Sequence, residues 1–190
     1  RVDDVPFAQI ERDGQEARVL HMDVAFPAWG GDEPLPVILY IHGGGWFLGS
    51  RDEGHDAIGR FAEGGYFAAT VDYRLGGEAA FPAAIHDVKA AVRFIKANAE
   101  ELGVDPSRIG VVGYSAGGHL AALLGTSSGV PTLDGTLNDP AISTDVACVA
   151  IINGPVSPAD LAPDGRRMYE RWLGGAESRL ADPATWLDAA

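Results

Sequence analysis

The chain is short of cysteine, of lysine and of long apolar runs, and each shortage excludes something. A single cysteine, Cys148, permits no disulfide within the chain. It sits in an apolar strand pattern and is expected in the core. Only two of the 14 basic residues are lysine, and 27 acidic residues bring the formal net charge to −13. That balance argues against nucleic acid or an anionic membrane as a partner and describes a soluble acidic protein. No window approaches the ~20 apolar residues of a membrane span. No basic-then-apolar segment opens the chain, and the cytoplasm is slightly favoured as its compartment. Glycine, by contrast, is abundant at 25 residues, and 46% of the chain is hydrophobic. Over 190 residues this composition suits one α/β domain with a substantial core and many tight turns.

Apolar periodicity orders the elements. Residues 17–25 alternate loosely and read as a partly exposed strand, and 27–36 form a turn-rich connection. Residues 37–41 are a continuous apolar run, the pattern of a strand buried on both faces. Helix spacing over 56–63 ends at Gly64-Gly65, and a strand follows at 66–71. Phe81-Pro82 opens a long helix whose apolar face runs through Ile85, Val88, Val92, Ile95 and Leu102, and Gly103 ends it. A strand at 109–112 and a small-residue helix at 116–124 come next. A polar stretch at 126–144 leads to a buried strand at 145–152, which Asn153-Gly154-Pro155 breaks. Residues 159–175 read as a short helix with Arg166, Arg167 and Arg171 outside and Met168, Tyr169 and Trp172 inside. Strands alternating with helices predict a mostly parallel, doubly wound sheet with helices on both faces.

Two stretches carry chemistry. Gly113-Tyr114-Ser115-Ala116-Gly117-Gly118 stands between a strand and a helix and has the G-x-S-x-G form of a nucleophile elbow. Gly113 and Gly117 leave room for a very tight turn. The free N–H groups and dipole of the following helix favour negative charge at Ser115. The second stretch, His42-Gly43-Gly44-Gly45-Trp46, leaves the C-terminal end of a strand, the side on which open α/β sheets place ligands. A serine attacking an ester carbonyl creates an oxyanion, and backbone N–H groups aimed at it stabilise the charge without reorganising. Ala116 N–H, Gly44 and Gly45 are the expected donors. His42 reads as a residue tying this loop to its surroundings. Trp46 and Tyr114 are the candidate pocket residues, with a buried core indole an equal reading of Trp46.

With these motifs in place the sequence resembles the α/β-hydrolase family, in particular the esterases of the hormone-sensitive-lipase type and the neighbouring bacterial carboxylesterases. The resemblance rests on the two motifs above, on Asp72-Tyr73-Arg74-Leu75, and on Phe81-Pro82-Ala83 with its helix, in order across residues 36–125. Tyr114, where many relatives carry Asp, is more similar to the branch holding acetyl-xylan and feruloyl esterases. The resemblance implies Ser115 as nucleophile, Gly44, Gly45 and Ala116 as the oxyanion hole, and Arg74 as a structural ion-pair residue.

The family orders its triad as serine, then acid, then histidine. Only His119 follows Ser115, and its ring is expected to point into the fold and not back to Oγ. His21, His55 and His86 belong to elements far from the elbow. Asp160, Asp164, Asp182 and Asp188 qualify as acids by order alone, and each reads better as a surface or capping residue. The chain is therefore expected to be the N-terminal portion of one α/β-hydrolase domain spanning 1–190. Two strand–helix units, on the order of 60 residues, would carry the acid and the base. They would lie beyond residue 190, or a second chain or copy would complete the sheet. The expected activity is hydrolysis of short-chain carboxylic esters through an acyl-enzyme on Ser115. It needs no cofactor or metal, since the sequence holds neither H-E-x-x-H nor a P-loop. The alternative is a non-catalytic fragment that binds a ligand or partner through its open sheet edge.

Overall fold

The computed structural model describes residues 1–28, 31, 33–157, 159 and 161–187. Six strands form one sheet: β1 (Val2–Ile10), β2 (Arg18–Ala25), β3 (Leu35–Ile41), β4 (Phe67–Val71), β5 (Val104–Tyr114) and β6 (Cys148–Ile152). Their spatial order is β1-β2-β4-β3-β5-β6. β3 pairs in parallel with both β4 and β5, and β5 with β6, whereas β1–β2 and β2–β4 are antiparallel. The sheet is thus mixed, with a parallel half that carries the motifs and an antiparallel flank. β1 has no counterpart among the predicted strands. Asp3, Asp4 and Pro6 interrupt its alternation, and register shifts beside Val5 and Pro6 mark it as an irregular edge strand.

Helices cover both faces. α1 (His55–Glu63) packs Ile58 and Ala62 against Ala25 and Ala68. On the opposite face lie α2 (Ala83–Ala97) and α4 (Ala116–Thr126), which bury Ile85, Val88, Val92, Leu120, Leu123 and Leu124 in the main core. The long predicted helix is in fact two. Asn98 separates α2 from the one-turn α3 (Ala99–Leu102), and its side-chain amide donates to Phe94 O at 2.8 Å. Gly103 ends the pair in the left-handed conformation. The polar stretch after α4 holds a short α5 (Pro131–Asp134). Buried Lys89 and Arg93 of α2 grip it, Lys89 reaching Ser127 O at 2.5 Å and Arg93 reaching Asp134 O at 2.6 Å. After β6 come α6 (Pro163–Leu173) and two 3₁₀ turns, Ser178–Ala181 and Pro183–Trp186.

β6 corrects a prediction. Its place at the open edge of the sheet is as expected, but it is largely exposed and not the buried strand its hydropathy predicted, and Cys148 is exposed instead of lying in the core. Hydropathy predicted burial, but among the described residues no strand pairs with the far side of β6.

Candidate active site

β3 and β5 are neighbours in parallel, so their C-terminal ends deliver the two motifs side by side. Ser115 follows β5 directly and adopts φ 52°, ψ −119°, a conformation rarely taken by a residue with a side chain. The turn works because Gly117, in the first turn of α4, lies directly on the end of β3. A Cβ there would overlap the carbonyl oxygens of Ile41 and His42. Ser115 N–H donates to Ile152 O at 2.8 Å and so is not available to a ligand. The Ala116 amide, at the first position of α4, has no acceptor within its helix.

The second motif folds as a tight turn over Gly44, whose carbonyl accepts the N–H of Phe47 at 3.1 Å and of Leu48 at 3.0 Å. Gly44, at φ 105°, needs glycine for room as well, since a Cβ would overlap Leu48 O. Among the described residues the Gly44 and Gly45 amides donate to no protein acceptor. The same loop touches the elbow at Gly43, which packs on Tyr114 and on Ser115 Cβ.

The residues that follow β4 hold this loop. Asp72 accepts Arg51 N–H at 3.2 Å and the Arg51 guanidinium at 2.5 Å, fixing the loop's exit. The Tyr73 hydroxyl lies 3.1 Å from His42 O and 3.2 Å from Gly43 O, at the loop's entry. Its ring stacks on His42 at 4.4 Å. His42 Nδ1 lies 2.8 Å from Gly43 O, so Nδ1 carries a proton. Burial holds the His42 pKa below its usual value. Arg74 pairs with Asp87 of α2 at 2.6 Å, the structural ion pair that the resemblance implied.

Gly45, Trp46, Ser115 and Ala116 open on one cleft of about 430 Å³. Its other walls are Asn153, Gly154 and Pro155 after β6, and Leu161, Ala162, Gly165 and Met168 from and before α6. None of the cleft's described lining residues is His, Asp or Glu. Trp46 is 3% exposed and at the same time lines the cleft. Tyr114 is 46% exposed, stands against Gly43, and is not among the lining residues. Met168 corrects the predicted helix orientation. Tyr169 and Trp172 are buried, but Met168 is exposed, with its sulfur over Gly45. The wall after β6 was absent from the sequence-based site. Its signal was Asn153-Gly154-Pro155 at the C-terminal end of the next parallel strand.

His119 does point inward. Its Nε2 lies 2.7 Å from Ala181 O, and its Nδ1 accepts the Trp46 indole N–H at 3.3 Å. His55 is engaged with Asp23 at 2.6 Å and His86 with Thr132 O at 3.1 Å. His21 lies in β2, separated from β5 by β4 and β3. Asp164 pairs with Arg167 on the surface, and Asp182 caps Ala184 N–H at 3.0 Å. Asp160 and Asp188 lie outside the described residues.

Burial lowers the His119 pKa from 6.5 to about 4. The fold therefore holds His119 neutral, while the unfolded chain protonates it near its ordinary value. Between these two values the unfolded state binds more protons, so stability falls as pH falls. The expected loss from pH 6.5 to 4 is about 3 kcal/mol from this residue. Urea denaturation across that range checks it, and His119→Asn should flatten the slope.

A mixed sheet with a serine on a strand–helix elbow, opposed by a glycine loop from the adjacent strand, is the α/β-hydrolase architecture. The chain belongs to the BD-FAE family, whose family model matches residues 22–187. It is 51% identical over 92 residues to carboxylesterase NlhH of Mycobacterium tuberculosis, covering 47% of this chain and 28% of that protein. It is 36% identical over 142 residues to esterase LipC of the same bacterium, covering 74% and 35%. Among solved structures, a bifunctional GH43-CE protein of Bacteroides eggerthii superposes with a TM-score of 0.81 at 28% identity, covering 97% of this chain and 26% of that one. Thermogutta terrifontis esterase 2 phosphonylated by sarin superposes at 0.76 with 31% identity, covering 88% and 63%. The chain thus spans about a third of the length of these curated relatives, or less.

Proposed function

We propose that this chain carries the nucleophile and the oxyanion-binding half of a serine hydrolase acting on short-chain carboxylic esters. The observation that supports it is the convergence of Ser115, Gly45 and Ala116 on one cleft, with the Gly44 amide, unpaired among the described residues, next to Gly45 in the same loop. Ser115 Oγ adds to the ester carbonyl carbon and gives up its proton to a base. The carbonyl π pair moves onto oxygen, where the three amides receive the charge. Collapse expels the alcohol, which takes a proton, and leaves the acyl group on Oγ; water then releases the acid. Trp46 and Met168 supply an apolar wall for the acyl group. The cleft is near the lower end of small-molecule sites, which suits a short ester.

The cleft's described lining has no base, so the proton acceptor comes from elsewhere. The open edge of β6 offers a place where a strand from a second chain or copy would complete the sheet beside the cleft. The same lack of a base favours a second reading, a non-catalytic module that binds an ester-like ligand. Hydrolysis of p-nitrophenyl acetate and butyrate, together with intact-mass detection of a fluorophosphonate adduct, separates the two. The expected result is one phosphonyl group per chain, absent in Ser115→Ala, with ester turnover only where a second chain or copy supplies the base. No adduct on the native chain, or an equal one in Ser115→Ala, would remove the serine reading.

A further inference from the structure

We propose that His119 is a positioning residue that sets the spacing between the two halves of the oxyanion-binding site, by clamping Trp46 to the helix that follows Ser115. The inference rests on the serine-hydrolase reading above. The Gly44 and Gly45 donors ride on a loop after β3, while Ala116 starts α4. Their mutual placement must be held to a fraction of an ångström, because a misplacement of about 1 Å slows such chemistry on the order of 100-fold.

The loop does not hold itself. Gly44, Gly45 and Trp46 take φ of 105°, 59° and 65° in succession, and Trp46 pays a steric cost there that its surroundings must offset. Its indole N–H donates to His119 Nδ1 at 3.3 Å, with both rings almost fully buried. His119 lies one turn beyond Ser115, its own N–H reaching Ser115 O at 3.1 Å. The rings also meet edge to face at 5.4 Å. On its far side, Nε2 reaches Ala181 O at 2.7 Å. An indole only donates and a carbonyl only accepts, so the neutral Nε2–H tautomer is the one state that satisfies both. One imidazole thus joins the glycine loop, the nucleophile helix and the turn after α6.

Pairing of an indole is not a general requirement of this core. The Nε1 of Trp172 has no partner among the described residues, although its ring stacks on Trp46 at 5.2 Å.

Two replacements split the imidazole's roles. Asn at 119 puts an acceptor where Nδ1 stands and loses the Ala181 bond; Gln puts a donor where Nε2 stands and loses the Trp46 bond. In the ¹⁵N-labelled 190-residue chain, His119→Asn is expected to leave the Trp46 indole resonance and the Gly44, Gly45 and Ala116 amide resonances close to their native positions. His119→Gln and Trp46→Phe are expected to move them. Fluorophosphonate labelling of Ser115 should slow by on the order of 100-fold in the latter two, and by less than about tenfold in His119→Asn. Melting temperatures of the two His119 variants should fall by similar amounts, so a purely packing role predicts equal labelling rates. Equal behaviour of Asn and Gln, in resonances or in rates, would overturn the proposal. If the native chain takes no phosphonate, the serine reading fails, and the resonance comparison still decides the clamp. If His119→Gln does not fold, Trp46→Phe supplies the same loss of the bond.

Discussion

Gly117→Ala is expected to destabilise the chain by about 4 kcal/mol, whereas Gly59→Ala is expected to stabilise it by about 0.5–1 kcal/mol. The chemical change is the same; only the surroundings differ. A methyl at 117 overlaps two carbonyl oxygens, those of Ile41 and His42. Neither can yield: Ile41 is paired on both sides by β4 and β5, and His42 O accepts the Tyr73 hydroxyl at 3.1 Å. Nor can α4 retreat, since Leu120, Ala121, Leu123 and Leu124 are all fully buried beneath it. Gly59 lies within α1, where a Cβ would meet nothing within 4 Å. There alanine only restricts the unfolded chain and improves helix propensity. Urea denaturation of both variants checks the pair. A Gly117→Ala protein of native stability would mean that α4 is not seated against β3 as described. Fluorophosphonate labelling adds a second readout, because any shift of α4 that relieves the clash also carries Ala116 away from Gly44 and Gly45.

How much of this was legible from sequence follows from where each constraint resides. The elbow and the glycine loop are local: tight turns demand particular residues at particular spacings, so Ser115, Gly44, Gly45 and Ala116 could be named, and the structure brings Ser115, Gly45 and Ala116 to one cleft with Gly44 beside Gly45 in the loop. The helices at 55–63 and 83–97 were equally readable, because each buries one periodic face. What failed depends on the rest of the molecule. β1 is an edge strand whose pairing tolerates Asp3, Asp4 and Pro6, so its pattern is weak. Apolar content in β6 predicted burial, but burial requires something to pack on it, and Cys148 went with that error. Met168 shares the apolar side of α6 with Tyr169 and Trp172, and that side is divided between core and cleft. The imidazole of His119 joins residues 73 and 62 positions away, a connection that no local pattern encodes.

Replacing Arg74 by leucine is expected to cost about 3–5 kcal/mol at neutral pH, and replacing Asp87 by leucine in the same chain is expected to return most of it. Asp87 is fully buried on α2. Arg74 meets its carboxylate through the backbone N–H at 2.8 Å, through Nε at 2.9 Å and through Nη2 at 2.6 Å. Burial pushes the Asp87 pKa up, and Arg74 pulls it back. Without the guanidinium, an uncompensated charge is left in the core and the carboxyl pKa rises further. The native state of the variant then takes up a proton at a higher pH than its unfolded chain, so its deficit relative to the parent should shrink as the pH is lowered. Comparing variant and parent at each pH cancels the acid sensitivity that His119 gives to both. The pair matters beyond its own energy because Arg74 follows Tyr73, whose hydroxyl meets the His42 and Gly43 carbonyls at the entry to the glycine loop. The double variant should therefore recover stability without fully recovering phosphonate labelling. If the double replacement were as unstable as Arg74→Leu alone, the cost would lie in lost packing and not in a stranded carboxylate.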